Sequence, residues 1–282
     1  MIATVASDTS GPIQDPFPPT WPPLGLQASR RLVLTATGAR GVAPGLATFE
    51  RAAALGAGAV SVELRATADG HPVLLRCSDL RGVSDAAVRY PGRPAVCVED
   101  LTWAELARLS IWLSHDTSTS VTPLAAVLVG PRTRAGLVLD LPIGPRAVGL
   151  DQVVVRHLRG TTRARPLAVR TRDVDALGRI RSSVPGVTTL ARLGASAARY
   201  SLGLLPRHVD GLSLPSGLVD RELLDEASSR GLMVIAERPS TTAEARRVLD
   251  LGILALEVVD DPMLTAIRSS PGSGWEPSSV PG

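Results

Sequence analysis

Eight short apolar runs, separated by stretches with helical spacing, constrain this sequence most strongly. They are residues 32–36, 59–64, 137–141, 166–170, 187–191, 209–214, 232–236 and 253–258. Several of these runs are rich in Val, Leu and Ile without alternation, which is typical of parallel strands buried on both faces. Their alternation with helical stretches indicates parallel β-α-β units. Eight such units favour an α/β fold, a single (β/α)8 TIM barrel, over an open doubly wound sheet.

The stretches between the runs carry their own start and stop signals. Leu46, Phe49 and Ala53 repeat at helical spacing after the first run. After the seventh run a helix is predicted to begin at Thr241 or at the next residue, and to end at Gly252. The long interval after the second run contains a turn signal at residues 69–70, a helical segment near residue 103 and a Ser/Thr-rich loop. In a barrel we expect this interval to be an insertion on the face that carries functional sites.

Proline-rich segments flank the predicted barrel. We predict an N-terminal arm at 1–29, the barrel at 30–268 with an insertion at about 76–136, and a Pro/Gly/Ser-rich tail at 269–282. Six prolines fall in the first 25 residues, which excludes a helix or an inner strand there. The two ends are interpreted either as tails without fixed structure or as extended arms that become ordered against neighbouring subunits. The second interpretation predicts a homo-oligomer or a larger protein assembly.

Charge and cysteine content argue against several classes of protein. All 30 basic residues are Arg and Asn is absent, which is typical of GC-rich coding. The net charge of +3 is spread along the chain without aromatic-basic interleaving, so we expect no nucleic-acid binding. Cys77 and Cys97 have no disulfide-framework or metal-ligand spacing. No leader pattern and no apolar stretch of about 18 residues is present, so we expect no membrane span.

Scaffold residues around the first two strands resemble the glycerophosphodiester phosphodiesterase family. Pro44 stands at the loop proline of that family's pattern, Gly56 closes the first helix, and Asp69 and Gly70 match the following turn. Further matches lie near the C-terminus, at Gly231, Leu232, Val234, Gly252, Asp260, Asp261, Pro262 and Leu264. The resemblance covers most of the predicted barrel, and it implies a TIM barrel with a site at its mouth.

The residues that would carry the family's chemistry are replaced. The resemblance implies two catalytic histidines, of which the first falls on Ala36, with the neighbouring Arg on Thr37, and the second falls on Arg76. In a shifted register Arg40 and Gly41 match the family, but the histidine position still holds a residue other than His. Alanine has no ionisable group and arginine stays protonated, so neither can act as general acid or base. We therefore expect no catalytic residue.

The metal ligands implied by the resemblance are only partly kept. The family holds Ca or Mg with acidic side chains, and those positions fall on Ser61, Glu63 and Asp140. The family's Lys after the third acid is replaced by Pro142, and Glu237 stands where the family has an aromatic residue. We expect no metal and no cofactor, with Glu63 and Asp140 as remnant candidates. Ca or Mg would be needed only by a diverged hydrolase.

Three arginines are expected near the barrel mouth. Arg40, Arg65 and Arg76 could bind a phosphate or a sugar acid without cleaving it, although solvent-facing arginines are the alternative interpretation. None of the four histidines falls on a catalytic position of the family; they are His71, His115, His157 and His208.

Three functions stay open from the sequence. The first is a non-catalytic barrel that serves as a structural or recognition component, similar to the barrel domains of minor tail or tail-tip proteins of phages that infect high-GC actinobacteria. It would be located in the virion and contact other subunits through its arms. The second is a cytoplasmic pseudoenzyme that binds a phosphodiester or polyol. The third is a diverged phosphodiesterase that uses Glu63, Asp140 and a metal.

Overall fold

The computed structural model describes most of the chain between the two proline-rich ends. The described residues are 32–36, 44–112, 117–129, 135–159, 166–194, 202–205, 207–253, 255–259 and 261–269, with the backbone alone described for 32–36. The predicted arms apart from residue 269, the predicted site residues Thr37 and Arg40, and His115 lie outside these residues.

Eight parallel strands form a closed ring. The structure describes twelve strands in all, of which four lie outside the ring. In chain order the twelve are β1 (Leu32–Ala36), β2 (Ala59–Ala66), β3 (Pro72–Leu74), β4 (Ile111–Trp112), β5 (Ser118–Thr119), β6 (Thr122–Pro123), β7 (Gly136–Leu141), β8 (Leu167–Thr171), β9 (Thr188–Arg192), β10 (Gly211–Pro215), β11 (Met233–Glu237) and β12 (Ala255–Val258). The ring consists of β1, β2 and β7 to β12, and β1 pairs in parallel with both β2 and β12. This closure confirms the predicted TIM barrel, and the eight predicted runs end within two residues of the ring strands.

Helices connect the strands, and most of the described helices cover the outside of the ring. They are α1 (Leu46–Ala54), α2 (Ala86–Arg89), α3 (Trp103–Leu106), α4 (Leu124–Val129), α5 (Leu150–Arg159), α6 (Val174–Ser183), α7 (Arg221–Ser229), α8 (Thr242–Asp250) and α9 (Asp261–Arg268). The Thr241 hydroxyl accepts from the Glu244 backbone N–H at 3.1 Å at the start of α8, and Gly252 follows its end with φ 88°. The predicted bounds of this helix are therefore confirmed. None of the described helices is long and apolar enough to cross a lipid bilayer.

Apolar side chains pack on both sides of the ring. Outward-facing residues such as Leu139 and Val169 pack with helix residues such as Leu177 in the larger core. The inward-facing residues near the amino ends of the strands form an inner layer of the barrel core: Ala59, Val138, Ala168, Leu190, Met233, Ile235 and Ala255. Because side chains alternate between faces with a period of two, the next inward positions along each strand lie towards its carboxyl end.

The interval between β3 and β7 has its own small core. β2 and β3 form an antiparallel hairpin, and the Thr67 N–H donates to the His71 carbonyl at 3.0 Å across its turn. Gly70 adopts φ 78° in this turn, a conformation that favours glycine. Eleven residues form a separate apolar cluster: Val73, Leu75, Leu80, Ala86, Val96, Val98, Leu101, Leu106, Leu109, Ile111 and Val121. The described part of this interval therefore packs as a unit against the barrel.

Candidate functional site

Polar side chains line the inside of the ring at the carboxyl ends of the strands. Most of them lie two residues beyond an inward-facing apolar residue: Asp140 follows Val138, and Arg170 follows Ala168. The full set is Ser61, Glu63, Asp140, Arg170, Arg192, Ser213, Glu237 and Glu257. The carboxyl ends of the strands form the face on which TIM barrels carry their functional sites. We call this inward-facing polar layer the barrel mouth.

Arg170 lies at the centre of the barrel mouth, and its side chain is 0 % exposed. Its Nε and Nη2 donate to the two oxygens of Asp140, with an Nη2–Oδ2 distance of 2.6 Å. Its Nη1 donates to Glu257 and to the Ser213 hydroxyl, the latter at 2.9 Å, and lies 3.3 Å from Glu237 Oε1. A buried charge needs such partners, because desolvation without them costs several kcal/mol.

The surrounding carboxylates keep Arg170 charged. Burial alone would lower the pKa of Arg170, but the carboxylates of Asp140 and Glu257 outweigh burial and raise this pKa well above its ordinary value. The guanidinium is therefore a permanent cation inside the ring.

Arg192 forms a second bridge across the barrel mouth. Its Nε and Nη2 donate to Glu237 Oε2 at 3.1 and 2.6 Å, and its Nη1 lies 3.8 Å from Asp140 Oδ2. The Ser213 hydroxyl donates to the other Glu237 oxygen at 2.6 Å. Both oxygens of Glu237 are thus engaged, and the Arg192 side chain is 21 % exposed at the rim.

Glu257 has no exposed side-chain surface and carries a negative charge. The Ser61 hydroxyl donates to its Oε1 at 2.9 Å, and Arg170 donates to its Oε2. Burial would raise the pKa of Glu257, but the Arg170 charge and these hydrogen bonds hold the pKa below its ordinary value of 4.5. Asp140, Glu237 and Glu257 together therefore face two arginines, Arg170 and Arg192.

A second ion-pair group lies beside the first, along β2. Arg65 Nη2 donates to Glu63 Oε1 at 3.0 Å, and its Nη1 donates to Glu99 Oε1 at 3.2 Å. The Ser78 hydroxyl donates to the other Glu99 oxygen at 2.6 Å. Burial raises the pKa of Glu63, and the neighbouring Asp140 adds to this, while Arg65 opposes it. Arg65 is 14 % exposed and is used mainly in holding these two carboxylates.

The predicted site residues are brought only partly together. Ala36 ends β1 next to Ser61 on the neighbouring strand. Arg76 is exposed just after β3, and its carbonyl accepts from Arg65 Nη2 at 3.2 Å, so these two residues are neighbours. Ligand binding by Arg65 and Arg76 stays a prediction, as does that by Arg40, which is not described.

The described histidines lie away from the barrel mouth. His71 sits on the hairpin turn, 3.3 Å from Asp69, and its ring stacks on Trp103 with centroids 6.3 Å apart. His157 Nδ1 lies 2.9 Å from the Val153 carbonyl on α5, and His208 Nε2 lies 2.9 Å from a carbonyl at the start of α6. These rings have structural contacts and do not face the polar layer.

The residues that the resemblance places at metal-binding positions do not fit a divalent cation. Ser61, Glu63 and Asp140 lie near one another on β2 and β7, where Glu63 and Asp140 are register partners. However, both Asp140 oxygens accept from Arg170, Glu63 pairs with Arg65, and the Ser61 hydroxyl is used by Glu257. Within the described ranges, no group of three or more His, Cys, Asp or Glu is arranged to hold a metal ion.

A cavity of about 310 Å³ opens beside the barrel mouth, between the start of α5 and the start of α6. At its edge Arg179 pairs with Asp151 at 2.6 Å and lies 3.5 Å from Asp173. Ile143 and Val148, on the loop that follows β7, are 56 % and 86 % exposed. The charged side chains that line this cavity, Asp151, Asp173 and Arg179, pair with one another.

Sequence reasoning missed the centre of the barrel mouth. Arg170, Arg192, Ser213 and Glu257 were not singled out, and Glu237 was noted only as the replacement of an aromatic residue. A usable signal existed, because these polar residues recur at the last inward-facing position of apolar strand runs. A polar residue at such a position must find a partner across the ring.

Comparisons with known proteins agree with this architecture. Residues 38–258 match the glycerophosphoryl diester phosphodiesterase family. A phosphodiesterase from Oleispira antarctica, solved in complex with the product sn-glycerol-3-phosphate, has a TM-score of 0.68 at 19 % identity, covering 84 % of this chain and 97 % of that one. A glycerophosphodiester phosphodiesterase from Agrobacterium tumefaciens has a TM-score of 0.65 at 18 % identity, covering 85 % of this chain and 100 % of that one.

At these identities the structural likeness shows the fold alone. No curated protein sequence matches the chain. Because the family match spans nearly the whole ring of strands, the chain belongs to the glycerophosphoryl diester phosphodiesterase family.

Proposed function

We propose that this protein is a non-catalytic member of its family that serves as a structural or recognition component of a larger protein assembly. The observation that carries the proposal is the Arg170 guanidinium, which is buried at the centre of the barrel mouth and bound by Asp140, Glu237 and Glu257. A substrate or metal would have to displace this side chain from three carboxylates.

The residue types at the family's catalytic positions support the same proposal. The histidine positions fall on Ala36 and Arg76, and proton transfer near neutral pH needs a group that both gains and loses a proton. The solved structures that resemble this chain are named as phosphodiesterases, but those names describe the activity of the other proteins and not of this chain. In this chain the scaffold is kept, while the groups needed for general acid-base chemistry are replaced.

The assembly we propose is the tail of a phage that infects a high-GC actinobacterium. Support comes from the sequence: every basic residue is Arg, and both ends of the chain combine proline with tryptophan, at Trp21 and Trp275. On this proposal the segments 1–29 and 269–282 contact other subunits, most simply further copies of the chain. A cytoplasmic pseudoenzyme that holds a phosphodiester with Arg65 and Arg76 is the alternative, favoured by the neighbouring positions of these two arginines.

The test measures turnover and assembly together. The full chain and residues 26–269 are incubated with glycerophosphocholine and with a generic phosphodiester, each with Ca²⁺ and with Mg²⁺, and their masses are measured by size-exclusion chromatography with light scattering. We expect no turnover above the buffer control, self-assembly of the full chain, and a monomer for the shorter one. The first prediction is therefore that the chain has no phosphodiesterase activity and that its mass in solution depends on the two arms.

Metal-dependent turnover that disappears in Glu63→Ala and Asp140→Ala would show that the parent chemistry survives, and would refute the non-catalytic proposal. A monomeric full chain without turnover that binds sn-glycerol-3-phosphate would favour the pseudoenzyme instead.

A further inference from the structure

We infer that copies of this chain join head to tail, with segment 270–282 of one copy bound in the cavity between α5 and α6 of the next. The residues of this segment that make the contact are Trp275 and Glu276, which lie outside the described residues. The inference rests on the proposed assembly and deepens it, because it names the segment and the surface through which two copies meet.

The cavity exposes apolar surface that is rare in this chain. Ile143 and Val148 line it and are 56 % and 86 % exposed. Only seven large apolar side chains of the described residues are exposed, and two of them meet here. A side chain added at Gly144 or Gly149, on the same loop, would begin with no atom within 4 Å, so a second chain can approach the backbone there. Exposed apolar residues around a concave site mark a surface that binds another molecule.

The volume of the cavity fits one large side chain. Cavities that bind small molecules measure about 300–1,000 Å³, and this one, at about 310 Å³, lies at the lower limit. Tryptophan suits such a site because its ring is apolar and its N–H needs an acceptor. The Asp173 carboxylate, which is 47 % exposed and lines the cavity, is an acceptor of this kind.

The charge beside the cavity favours the segment that carries Trp275. Arg172 directly precedes Asp173 in the chain; it is exposed, and its guanidinium forms no ion pair with any other described residue. Segment 270–282 has a single charged residue, Glu276, directly after Trp275. A Trp275 ring in the cavity therefore brings a carboxylate to the side on which Arg172 offers an unpaired cation.

The segment at the other end of the chain matches the cavity less well. Trp21 has no acidic residue within five positions on either side. A Trp21 ring in the cavity would leave Arg172 without a carboxylate. Binding of that arm is therefore a separate outcome of the test.

Segment 270–282 is too short to reach the cavity of its own copy. α9 runs back from the carboxyl ends of the strands, so Ser269 lies at their amino ends, whereas the cavity lies at the carboxyl ends. The ring order β12, β1, β2, β7, β8 also places α9 and the cavity on opposite sides of the barrel. Trp275 is six residues beyond Ser269, a reach of at most about 22 Å. The separation combines the length of α9, about 12 Å, with the width of the ring and its helices, at least about 25 Å, and so exceeds that reach.

The contact is therefore heterologous, because different surfaces of two copies meet. The amino side of one barrel supplies the segment, and the carboxyl side of the next supplies the cavity. Contacts of this kind close into rings or extend into filaments. The unchanged chain should thus form assemblies larger than dimers as its concentration rises.

The test uses full-length variants that each remove one half of the contact. Trp275→Ala removes the side chain that fills the cavity, and Val148→Glu places a negative charge on the cavity wall. Val88→Glu is the matched control, because Val88 is 80 % exposed and does not line the cavity. Sedimentation velocity over a range of concentrations gives the dissociation constant of self-assembly. We expect Trp275→Ala and Val148→Glu to weaken self-assembly at least about tenfold, and Val88→Glu and Trp21→Ala to leave it unchanged.

A mixture of the two defective variants makes the test specific. Trp275→Ala keeps its cavity and Val148→Glu keeps its Trp275, so one contact can form between them. An equimolar mixture should give heterodimers at concentrations where each variant alone is monomeric. Arg172→Glu should weaken self-assembly about two- to fivefold, and combining it with Glu276→Arg in one chain should restore the loss.

Self-assembly that is insensitive to Trp275→Ala or to Val148→Glu, or a mixture that stays monomeric, overturns this inference and leaves the proposed assembly standing. Loss of self-assembly in Trp21→Ala alone would assign the contact to the other arm and would overturn the inference as well. An unchanged chain that stays monomeric refutes the proposed assembly and this inference together, so the two failures can be told apart.

Discussion

Glu257 lies at the last inward-facing position of β12, and its charge depends on two neighbours, Arg170 and Ser61. Its pKa is lower in the folded chain than its ordinary value of 4.5, because the Arg170 cation outweighs the effect of burial. For a carboxyl group with a depressed pKa, the contribution to stability is complete above the unfolded value and is lost as the pH falls. The stabilisation that Glu257 contributes should therefore be lost progressively as the pH falls below 4.5.

Glu257→Gln is expected to lower the free energy of unfolding by about 3–5 kcal/mol at pH 7, because it leaves Arg170 buried with fewer partners. The difference from the unchanged chain should shrink as the pH falls below 4.5, where Glu257 begins to lose its own charge in the unfolded chain. Urea unfolding at pH 7 and at about pH 3.5 measures both effects.

Glu226→Gln is the control for this substitution. Glu226 pairs with Arg230 on the surface of α7, where the Glu226 side chain is 45 % exposed and that of Arg230 is 43 % exposed. We therefore expect the free energy of unfolding to change by no more than about 0.5 kcal/mol. Equal losses for Glu257→Gln and Glu226→Gln would argue against a buried network at the barrel mouth.

At the scale of elements, α8 shows how local sequence sets the bounds of a helix. The Thr241 side chain caps its first turn, and Glu244 accepts from the Ser240 N–H at 2.8 Å and from the Ser216 hydroxyl at 2.7 Å. These hydrogen bonds hold the pKa of Glu244 below its ordinary value, with the Ser240 hydroxyl making the largest contribution. The start of α8 is thus tied to the segment that follows β10, close to the barrel mouth.

Thr241→Ala is expected to reduce the free energy of unfolding by about 1 kcal/mol, because the Glu244 N–H loses its cap acceptor. Thr242→Ala, one residue further on at the first helical position, should change stability by less than about 0.5 kcal/mol. Chemical denaturation measures the free energy of unfolding of both variants. A loss for Thr242→Ala as large as that for Thr241→Ala would contradict the assigned cap.

At the scale of the molecule, the described residues divide into a barrel core and the separate cluster between β3 and β7. The barrel core is closed on itself by hydrogen-bonded strands, while the smaller cluster is covered by short helices and the two-stranded sheet of β4 and β5. Local stability follows the number of buried apolar contacts. The smaller cluster should therefore open more easily than the ring.

Leu106→Ala in the smaller cluster and Leu139→Ala in the barrel core make a matched pair, because both leucines are fully buried. Leu139→Ala should cost about 2–5 kcal/mol and speed amide hydrogen exchange throughout the ring. Leu106→Ala should speed exchange mainly between residues 75 and 123 and leave the ring strands protected. Uniform loss of protection in both variants would mean that the two clusters unfold as one unit.

The sequence by itself determined the number, order and bounds of the ring strands. A parallel strand buried on both faces needs a continuous apolar run, so such strands are visible in sequence, and the predicted runs end within two residues of the observed strands. The replacement of family residues at Ala36 and Arg76 follows from the resemblance and stays a prediction. The turn at Gly70 and the start of α8 followed from local signals of the same kind.

Only the tertiary structure decided which polar side chains meet. Arg170 lies 30 positions from Asp140 and 87 positions from Glu257 along the chain, and closure of the ring brings all three into contact. The arginine cluster predicted from sequence shares no member with this centre, and Arg65 proved to be held by Glu63 and Glu99. The physical reason is that burial on a strand is a local property of the chain, whereas the partner of a buried charge is chosen across the barrel by geometry that no single strand contains.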